Sequence, residues 1–567
     1  MTPFTEALRA HYKHLGAWSE HSLYEYLKQR ADLYPDRLAI VDPGDRERFC
    51  RGAPVRMDYR TFLARVDSLA TILERLGVCA GDVVTVQLPN IWELVACYFA
   101  LARLGAVISP IAVQYRAREL QNSLEQTRSR TYITSTNFKG FDFASYVLER
   151  LPNAFDKVLV VEELAPNGAA SLPLLTENYT LLPDGEAALV DADSIVTICW
   201  TSGTEGLPKG VPKTHNNWRA SGFGVIDGFG IVEAETLLLP FPLINTAAVG
   251  GMMMPWLLCG GTLVLHHPFD VEVFLRQLVE EKVTVTLAAP ALLSMLLDDR
   301  HLRQKLEGSS LRKVGTGSAP PSPMLLRDYQ EKLGISVINM FGSNEGMLLC
   351  SDCELMPEPE QRARFFPRVG VPGIHWSNRG ANWMRTKLVD CDSGEVIEEP
   401  GRPGELAFQG PSLFPGYYRN GGLDRTAFDE DGYYRTGDLF EIVADEQGPR
   451  FLRVIGRQKE IIIRGGFNIS PAELDALLVE MPGIREIACA GIPDQRLGER
   501  IAAYAVVDHD ATITLPTICE FLEQRGLARI KWPERLVLLS ELPRNALNKV
   551  VRSALAAQPV LSEEGLS

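Results

Sequence analysis

For 34 consecutive positions, Thr236 to Phe269, the chain carries no aspartate, glutamate, lysine or arginine. A run of that length must leave water, either in a bilayer or in the core of a large protein. Pro240, Pro242, Asn245, Gly250, Gly251, Pro255, Gly260 and Gly261 punctuate it. A lipid-exposed helix broken at so many points would strand backbone groups without partners, so an integral membrane segment is not expected. The run reads instead as a buried strand, a turn, a helix and the strand Thr262 to Leu265. Only a sizeable core can take it in. The 567 residues, 46% hydrophobic and 23% charged, supply one without disulfides or a structural metal.

Helical and extended patterns alternate around that run. Leu23, Leu27 and Ala31 share a helical face, and Leu38 to Val41 reads as a strand. Val83 to Leu88 is a β-rich run, followed by an apolar helix from Ile91 to Leu104 and a buried strand at Ala106 to Ile108. Further strands are expected at Lys157 to Val161, Ser194 to Trp200, Val283 to Ala288 and Val337 to Met340. This alternation predicts α/β layers with substantial parallel sheet. The pattern changes near residue 456. Ser470-Pro471-Ala472-Glu473 is a helix start, with Ser as N-cap, Pro at the first helical position and Glu three residues after the cap. Leu474, Leu477, Leu478 and Met481 then form one apolar face, and Pro482-Gly483 ends it. The remainder is enough for a small separate α/β domain.

A net charge of −15 argues against general nucleic-acid binding and against a polybasic membrane adaptor. Ten cysteines without framework spacing fit a reducing compartment, and the N-terminus has no apolar signal region, so a cytoplasmic location is expected. A homodimer is a compatible assembly. Cys350-Ser351-Asp352-Cys353 has the spacing of a zinc pair but no second pair, and His266-His267 has no partner cluster.

The chemistry is concentrated in short segments. The apolar strand from Ser194 leads into Thr201-Ser202-Gly203-Thr204-Glu205-Gly206-Leu207-Pro208-Lys209-Gly210. Small hydroxyl residues and glycines let backbone N–H groups approach phosphate oxygens, and the lysine adds a compact positive charge. The spacing is not that of a Walker loop. Read alone, the stretch is also compatible with a surface turn. Three more segments follow: Ile338-Asn339-Met340-Phe341-Gly342-Ser343-Asn344-Glu345, Tyr434-Arg435-Thr436-Gly437-Asp438-Leu439, and Ile455-Gly456-Arg457-Gln458-Lys459-Glu460. Leu542-Pro543-Arg544-Asn545-Ala546-Leu547-Asn548-Lys549-Val550 lies near the C-terminus.

In this order and spacing the set resembles the acyl-adenylate-forming (AMP-binding) superfamily over nearly the whole chain. Stretches such as VQLPNIWELV, KTHNN, GPSLFPGYY and EIIIRGGFNISPAELDALL are similar to bacterial short- and medium-chain acyl-CoA synthetases and cyclohexanecarboxylate–CoA ligases. The resemblance implies a large N-terminal adenylation domain of layered sheets and helices, residues 1–457. It also implies a small mobile α/β C-terminal lid, 458–567, with a hinge near Lys459. It implies ATP, Mg2+ and coenzyme A as cofactor and co-substrates, and a carboxylic acid of medium-chain, alicyclic or aromatic type as the substrate. Thr201, Ser202, Gly203, Thr204, Gly206 and Lys209 would hold phosphates. Phe341 would stack on adenine, opposite Ser318, Ala319 and Pro320, with Asn339, Gly342 and Asn344 beside the nucleotide. Asp438 would accept from the ribose hydroxyls, assisted by Arg457. Glu345 and Thr201 would hold magnesium, and Lys549 would bridge the carboxylate and the α-phosphate. Asn245, Thr246, Val249, Gly317, Met347 and Leu348 would form the acyl pocket. Arg464, Gly465 and Gly466 would line the CoA tunnel.

The sequence departs from the family pattern at Asn344, where threonine is usual, at Asn548 in place of glycine, and at Glu205 in place of threonine. Asn245 stands where histidine or an aromatic is common, which bears on acyl specificity. Two alternatives remain: an aryl-acid adenylating enzyme that loads a carrier protein, and a non-catalytic nucleotide-binding homologue.

Overall fold

The uncharged run is interior. The computed structural model describes the chain except for residues 1, 173–189, 202–207, 318–320, 458–459, 465–466, 495–496, 509, 526, 528, 546–548, 559 and 566–567. The run supplies the strand Thr236–Leu239, a helical stretch from Thr246 through Cys259, and the strand Thr262–Leu265. Trp256 is fully buried there and stacks on Tyr59 with ring centres 5.9 Å apart. Gly261 is required by a close approach: a Cβ on it would lie 2.0 Å from the Glu235 carbonyl oxygen.

Thr236–Leu239 and Thr262–Leu265 are central in an eight-stranded sheet. Six strands run parallel in the spatial order Leu38–Val41, Thr262–Leu265, Thr236–Leu239, Val285–Leu287, Lys313–Thr316, Ser336–Gly342. Arg56–Asp58 and Leu348–Ser351 close the two edges antiparallel. A nine-stranded sheet has a parallel centre of Lys157–Val160, Thr131–Thr134, Val83–Gln87, Val107–Pro110 and Ile195–Trp200. Parallel strands need covering on both faces, and the helix Trp92–Leu104 provides such a cover. Its residues are buried on every side from Trp92 to Arg103. Even its charges are inside: Glu93 pairs with Arg46 and Arg103 with Asp67.

The alternating pattern does not extend to residues 366–457. Their six-stranded sheet is wholly antiparallel, with hairpins joining Arg385–Val389 to Val396–Ile397 and Tyr434–Asp445 to Gly448–Arg457. Its long central pair, Tyr434–Asp445 and Gly448–Arg457, carries the Asp438 and Arg457 motifs on facing strands.

The C-terminal region has its own sheet, with strands Ile462–Arg464, Phe467–Ile469, Ile484–Asp494, Gly498–Val507, Arg535–Leu539 and Val560–Gly565. It has its own core as well, in which Leu474, Leu478, Ile501, Ile518 and Leu522 are fully buried. Ser470 caps the helix Pro471–Leu478 by accepting from Glu473 N–H at 3.1 Å, as the sequence predicts. Leu474 and Leu478 fill the core, and Leu477 and Met481 pack against it. The chain is thus a large N-terminal α/β body followed by a small α/β domain. Among the described residues, no helix is long and apolar enough to cross a membrane.

Candidate active site

The strand Ile195–Trp200 does not lead into a helix. The chain turns back as Gly210–Thr214, antiparallel to it, so the hydroxyl- and glycine-rich segment lies between two strands of one hairpin. Its neck is closed twice: Thr201 N–H donates to the Lys209 carbonyl at 3.0 Å, and Lys209 N–H donates to the Thr201 hydroxyl at 3.1 Å. Lys209 Nζ sits 4.7 Å over the Tyr417 ring. Ser202, Gly203, Thr204 and Gly206 lie outside the described residues.

The strand Ser336–Gly342 ends beside that neck. Phe341 is partly buried and packs edge-on against Phe440 at 4.9 Å and Phe366 at 6.0 Å, so the core fixes its ring. Gly317 follows the neighbouring strand, where a Cβ would lie 2.8 Å from the Met340 carbonyl oxygen. Ser318, Ala319 and Pro320 are outside the described residues. Asn339 is committed elsewhere: its amide nitrogen donates to the Arg362 and Ala363 carbonyls, 3.1 Å each.

The chain then makes a tight turn, with Gly346 N–H donating to Ser343 O at 3.2 Å and Ser343 N–H to Met347 O at 3.1 Å. Asn344 ties three elements together. Its Oδ1 accepts from Thr246 N–H at 3.0 Å, and its amide donates to the Trp200 carbonyl at 3.4 Å. Glu345 is buried. Its Oε1 accepts from the Tyr417 hydroxyl at 2.7 Å, which in turn lies 2.9 Å from the Tyr434 hydroxyl. Burial and the Glu345 carboxylate both push these phenols up, so they stay protonated and able to donate.

Asp438 and Arg457 are register partners, with Arg457 Nε donating to Asp438 Oδ1 at 3.1 Å. Lys549, in the C-terminal domain, lies within electrostatic range of this pair. Its loop is closed by Asn545 N–H donating to the Lys549 carbonyl at 2.9 Å and Lys549 N–H to Asn545 Oδ1 at 3.0 Å. Asn548 is outside the described residues. Burial raises Asp438 to about 6, against the opposing pull of Arg457 and Lys549, with Glu345 adding to the rise. Burial, and then Arg457, lowers Lys549, while Asp438, Glu345 and Glu460 hold it up. Two carboxylates and two cations from both domains therefore act on one another at one place.

Of the six residues expected to form the acyl pocket, Leu348 lines a cleft, together with Ala220, Ser221, Gly224, Trp383 and Met384. Val249 and Met347 are fully buried in core clusters. Asn245 caps a helix through Ala248 N–H at 3.2 Å, and Thr246 is held by Asn344. Arg464 is paired with Glu534, the closest contact 2.6 Å, and Glu534 also accepts from Ile501 N–H. Lys459, Gly465 and Gly466 lie outside the described residues. Among the described residues, no group of three or more His, Cys, Asp and Glu side chains gathers in a metal-holding arrangement.

Lys213 and Tyr417 belong to the site and are missing from the sequence reading. Both lie in stretches that carry the family resemblance, KTHNN and GPSLFPGYY, but their contacts are distant in the chain. A lysine inside the apolar strand Gly210–Thr214, on the same face as Val211, is the one local signal.

A large α/β body, a small α/β domain behind it, and opposed carboxylates and cations where the two meet form the layout of an adenylate-forming ligase. The chain belongs to the AMP-binding enzyme family, whose model matches residues 27–418, with the model of the AMP-binding enzyme C-terminal domain matching 473–549. It is 30% identical to the medium-chain fatty-acid–CoA ligase of Escherichia coli, over 97% of this chain and 93% of that one. It is 29% identical to the salicyl-AMP ligase / salicyl-S-ArCP synthetase of Mycobacterium tuberculosis, over 98% and 94%. Among solved structures, the o-succinylbenzoate CoA synthetase of Bacillus subtilis, in complex with its acyl-adenylate intermediate, superposes with a TM-score of 0.76 at 25% identity. That match covers 97% of this chain and all of the other.

Proposed function

We propose that the protein is an ATP-dependent acid–thiol ligase that converts a medium-chain, alicyclic or aromatic carboxylic acid to an acyl-adenylate and then to an acyl-CoA. The feature that supports this reading is Lys549, a cation of the small domain that lies within electrostatic range of Asp438 and Glu345 of the large body. A carboxylate is a poor acyl donor. Attack of its oxygen on the α-phosphorus of ATP expels pyrophosphate and leaves acyl-AMP, from which a thiolate sulfur displaces AMP at the carbonyl carbon. Lys549 would neutralise charge that accumulates on the phosphorus oxygens during the first step. Asp438 would accept from the ribose hydroxyls, and Phe341, its ring fixed by Phe440, would offer a face to adenine.

Glu345 and Thr201 fit a magnesium site, because this hard ion takes one or two carboxylates and fills its shell with water and phosphate oxygens. A bound magnesium would neutralise phosphate charge. Tyr417 keeps the Glu345 carboxylate aimed. The division into a body of residues 1–457 and a lid of 458–567, turning near Lys459 between the two half-reactions, is part of the same proposal.

Pyrophosphate exchange over a panel of acids, followed by CoA as acceptor, tests the reading. Exchange with a matching CoA thioester is expected. Exchange without any CoA thioester would instead favour loading of a carrier protein, a reading supported by the likeness to the salicyl-S-ArCP synthetase. No exchange with any acid would leave a non-catalytic homologue.

A further inference from the structure

Lys213 is fully buried in the strand Gly210–Thr214, yet neither of its two hydrogen bonds goes to a carboxylate. Its ammonium donates to two backbone carbonyls, Glu345 O at 3.0 Å and Ser412 O at 2.6 Å. Burying a cation on neutral acceptors is costly, so another part of the structure must gain from it. The bonds show where. Glu345 O also accepts from Phe414 N–H at 2.7 Å, and the Ser412 hydroxyl donates to Gly346 O at 2.7 Å. Five residues on, Tyr417 holds the Glu345 carboxylate itself. Asn217 grips the same segment from below through the Pro411 and Leu413 carbonyls, at 2.8 and 3.1 Å. Three consecutive carbonyls, 411 to 413, are thus captured by the strand and helix that follow the hydroxyl- and glycine-rich segment. Lys213 is the member of this set that also reaches the Glu345 turn. Gly346 has φ +124°, and a Cβ on it would lie 2.5 Å from Lys213 Nζ, so the turn is packed directly onto the ammonium.

We infer that Lys213 is a positioning residue that clamps the Glu345–Gly346 turn to the Ser412–Tyr417 segment, and so fixes the direction in which the Glu345 carboxylate faces magnesium and the phosphates of ATP. The inference rests on the proposed role of Glu345 in the ligase reading. It differs from a packing role because the clamp acts on one half-reaction: adenylation needs the aimed carboxylate, and displacement of AMP by a thiol does not.

The test uses the full chain with Lys213→Met, Lys213→Gln, Lys213→Arg, Ser412→Ala and Glu345→Gln. Two quantities are measured: the half-saturating magnesium concentration for pyrophosphate exchange at fixed saturating ATP and acid, and thioester formation from supplied acyl-AMP. Residues that orient a metal ligand typically change metal affinity or activity by 10–100-fold. Lys213→Met is therefore expected to raise half-saturating magnesium by about tenfold or more while thioester formation changes less than about threefold. Lys213→Arg, which keeps charge and donors, should recover part of the loss. If Lys213→Met does not fold, Lys213→Gln, which removes the charge and keeps a donor, decides on the same readout, whereas Ser412→Ala cuts only the hydroxyl bond to Gly346 O, leaves both Lys213 bonds in place and should shift it less. Unchanged magnesium dependence in the folded variant, or equal loss of both half-reactions, overturns the inference while Glu345→Gln still shows the metal effect. If Glu345→Gln leaves magnesium dependence unchanged, or the wild type shows no exchange, the functional reading itself fails and the inference with it.

Discussion

Replacing Asp438 by asparagine should make the nucleotide-free protein more stable and the enzyme worse. Asp438 is buried, and its carboxyl is raised from 3.8 to about 6 by loss of hydration. The native state therefore holds a proton that the unfolded chain has already released between about pH 4 and pH 6. Stability falls as pH rises through that window and stays lowered above it. Two units at about 1.4 kcal/mol each put the cost of the ionised form near 3 kcal/mol. That figure already contains the opposing pull of Arg457 and Lys549; asparagine retains an oxygen that can accept from Arg457 Nε but loses the charge-assisted part of that contact, so a net gain of about 1–2 kcal/mol is expected at pH 8. At pH 4 the gain should vanish, because the aspartate is then protonated. Thermal unfolding of both proteins without nucleotide reads the difference, at roughly 2 °C or less per kcal/mol for a chain this long. The ATP side has the opposite sign. Losing a charge-assisted hydrogen bond of about 1.5–3 kcal/mol should raise KM for ATP roughly 10–100-fold. A variant that melts with or below the wild type at pH 8, or that keeps its KM for ATP, would refute the reasoning.

Three further outcomes follow from the geometry. Lys549→Ala should lower pyrophosphate exchange by a factor of 100 or more, on the order of 3 kcal/mol, while thioester formation from supplied acyl-AMP stays within a few-fold; equal loss of both contradicts the assigned role. Gly346→Ala would place a Cβ 2.0 Å from the Ser412 carbonyl oxygen, so adenylation should drop sharply with the rest of the fold retained by circular dichroism. Arg46→Met should cost about 3–5 kcal/mol, because Arg46 lies 2.6 Å from Asp42 and 2.5 Å from Glu93, all three buried. That loss should shrink as pH is lowered, since burial already raises Glu93 to about 7 and the unpaired carboxylates are relieved by protonation; a loss that grows in acid would contradict this.

What was legible in the sequence was local. The uncharged run could be assigned to the core because its own prolines and glycines exclude a membrane helix, and Ser470 could be assigned as a cap because its partner is three residues away. The hydroxyl- and glycine-rich segment was harder. Thr201 to Lys209 announces phosphate chemistry by composition, but that its strand returns antiparallel rather than entering a helix depends on pairing with Gly210–Thr214. Lys213 could not be assigned at all, since its acceptors lie 132 and 199 positions away. Asn344 shows the same limit. It stands where the family usually has threonine and was expected beside the nucleotide, yet its side chain bonds Thr246 and Trp200, two elements that approach it only in the folded chain.

These distant contacts explain how a chain of net charge −15 can be built to handle anions. The whole-molecule field is unfavourable to ATP, so attraction must be local. Lys209, Arg457 and Lys549 come from two hairpins and a loop of the small domain, and these cations are kept near Glu345 and Asp438 rather than spread over a surface. Burial makes each charge costly in the empty protein: it raises Asp438 and lowers Lys549. The same burial lets each act at close range in low dielectric, where an oriented charge has a far larger effect on a developing phosphate charge than it has in water. Lower stability without nucleotide and electrostatic strength with it therefore have one cause, and a substitution that relieves the first should weaken the second.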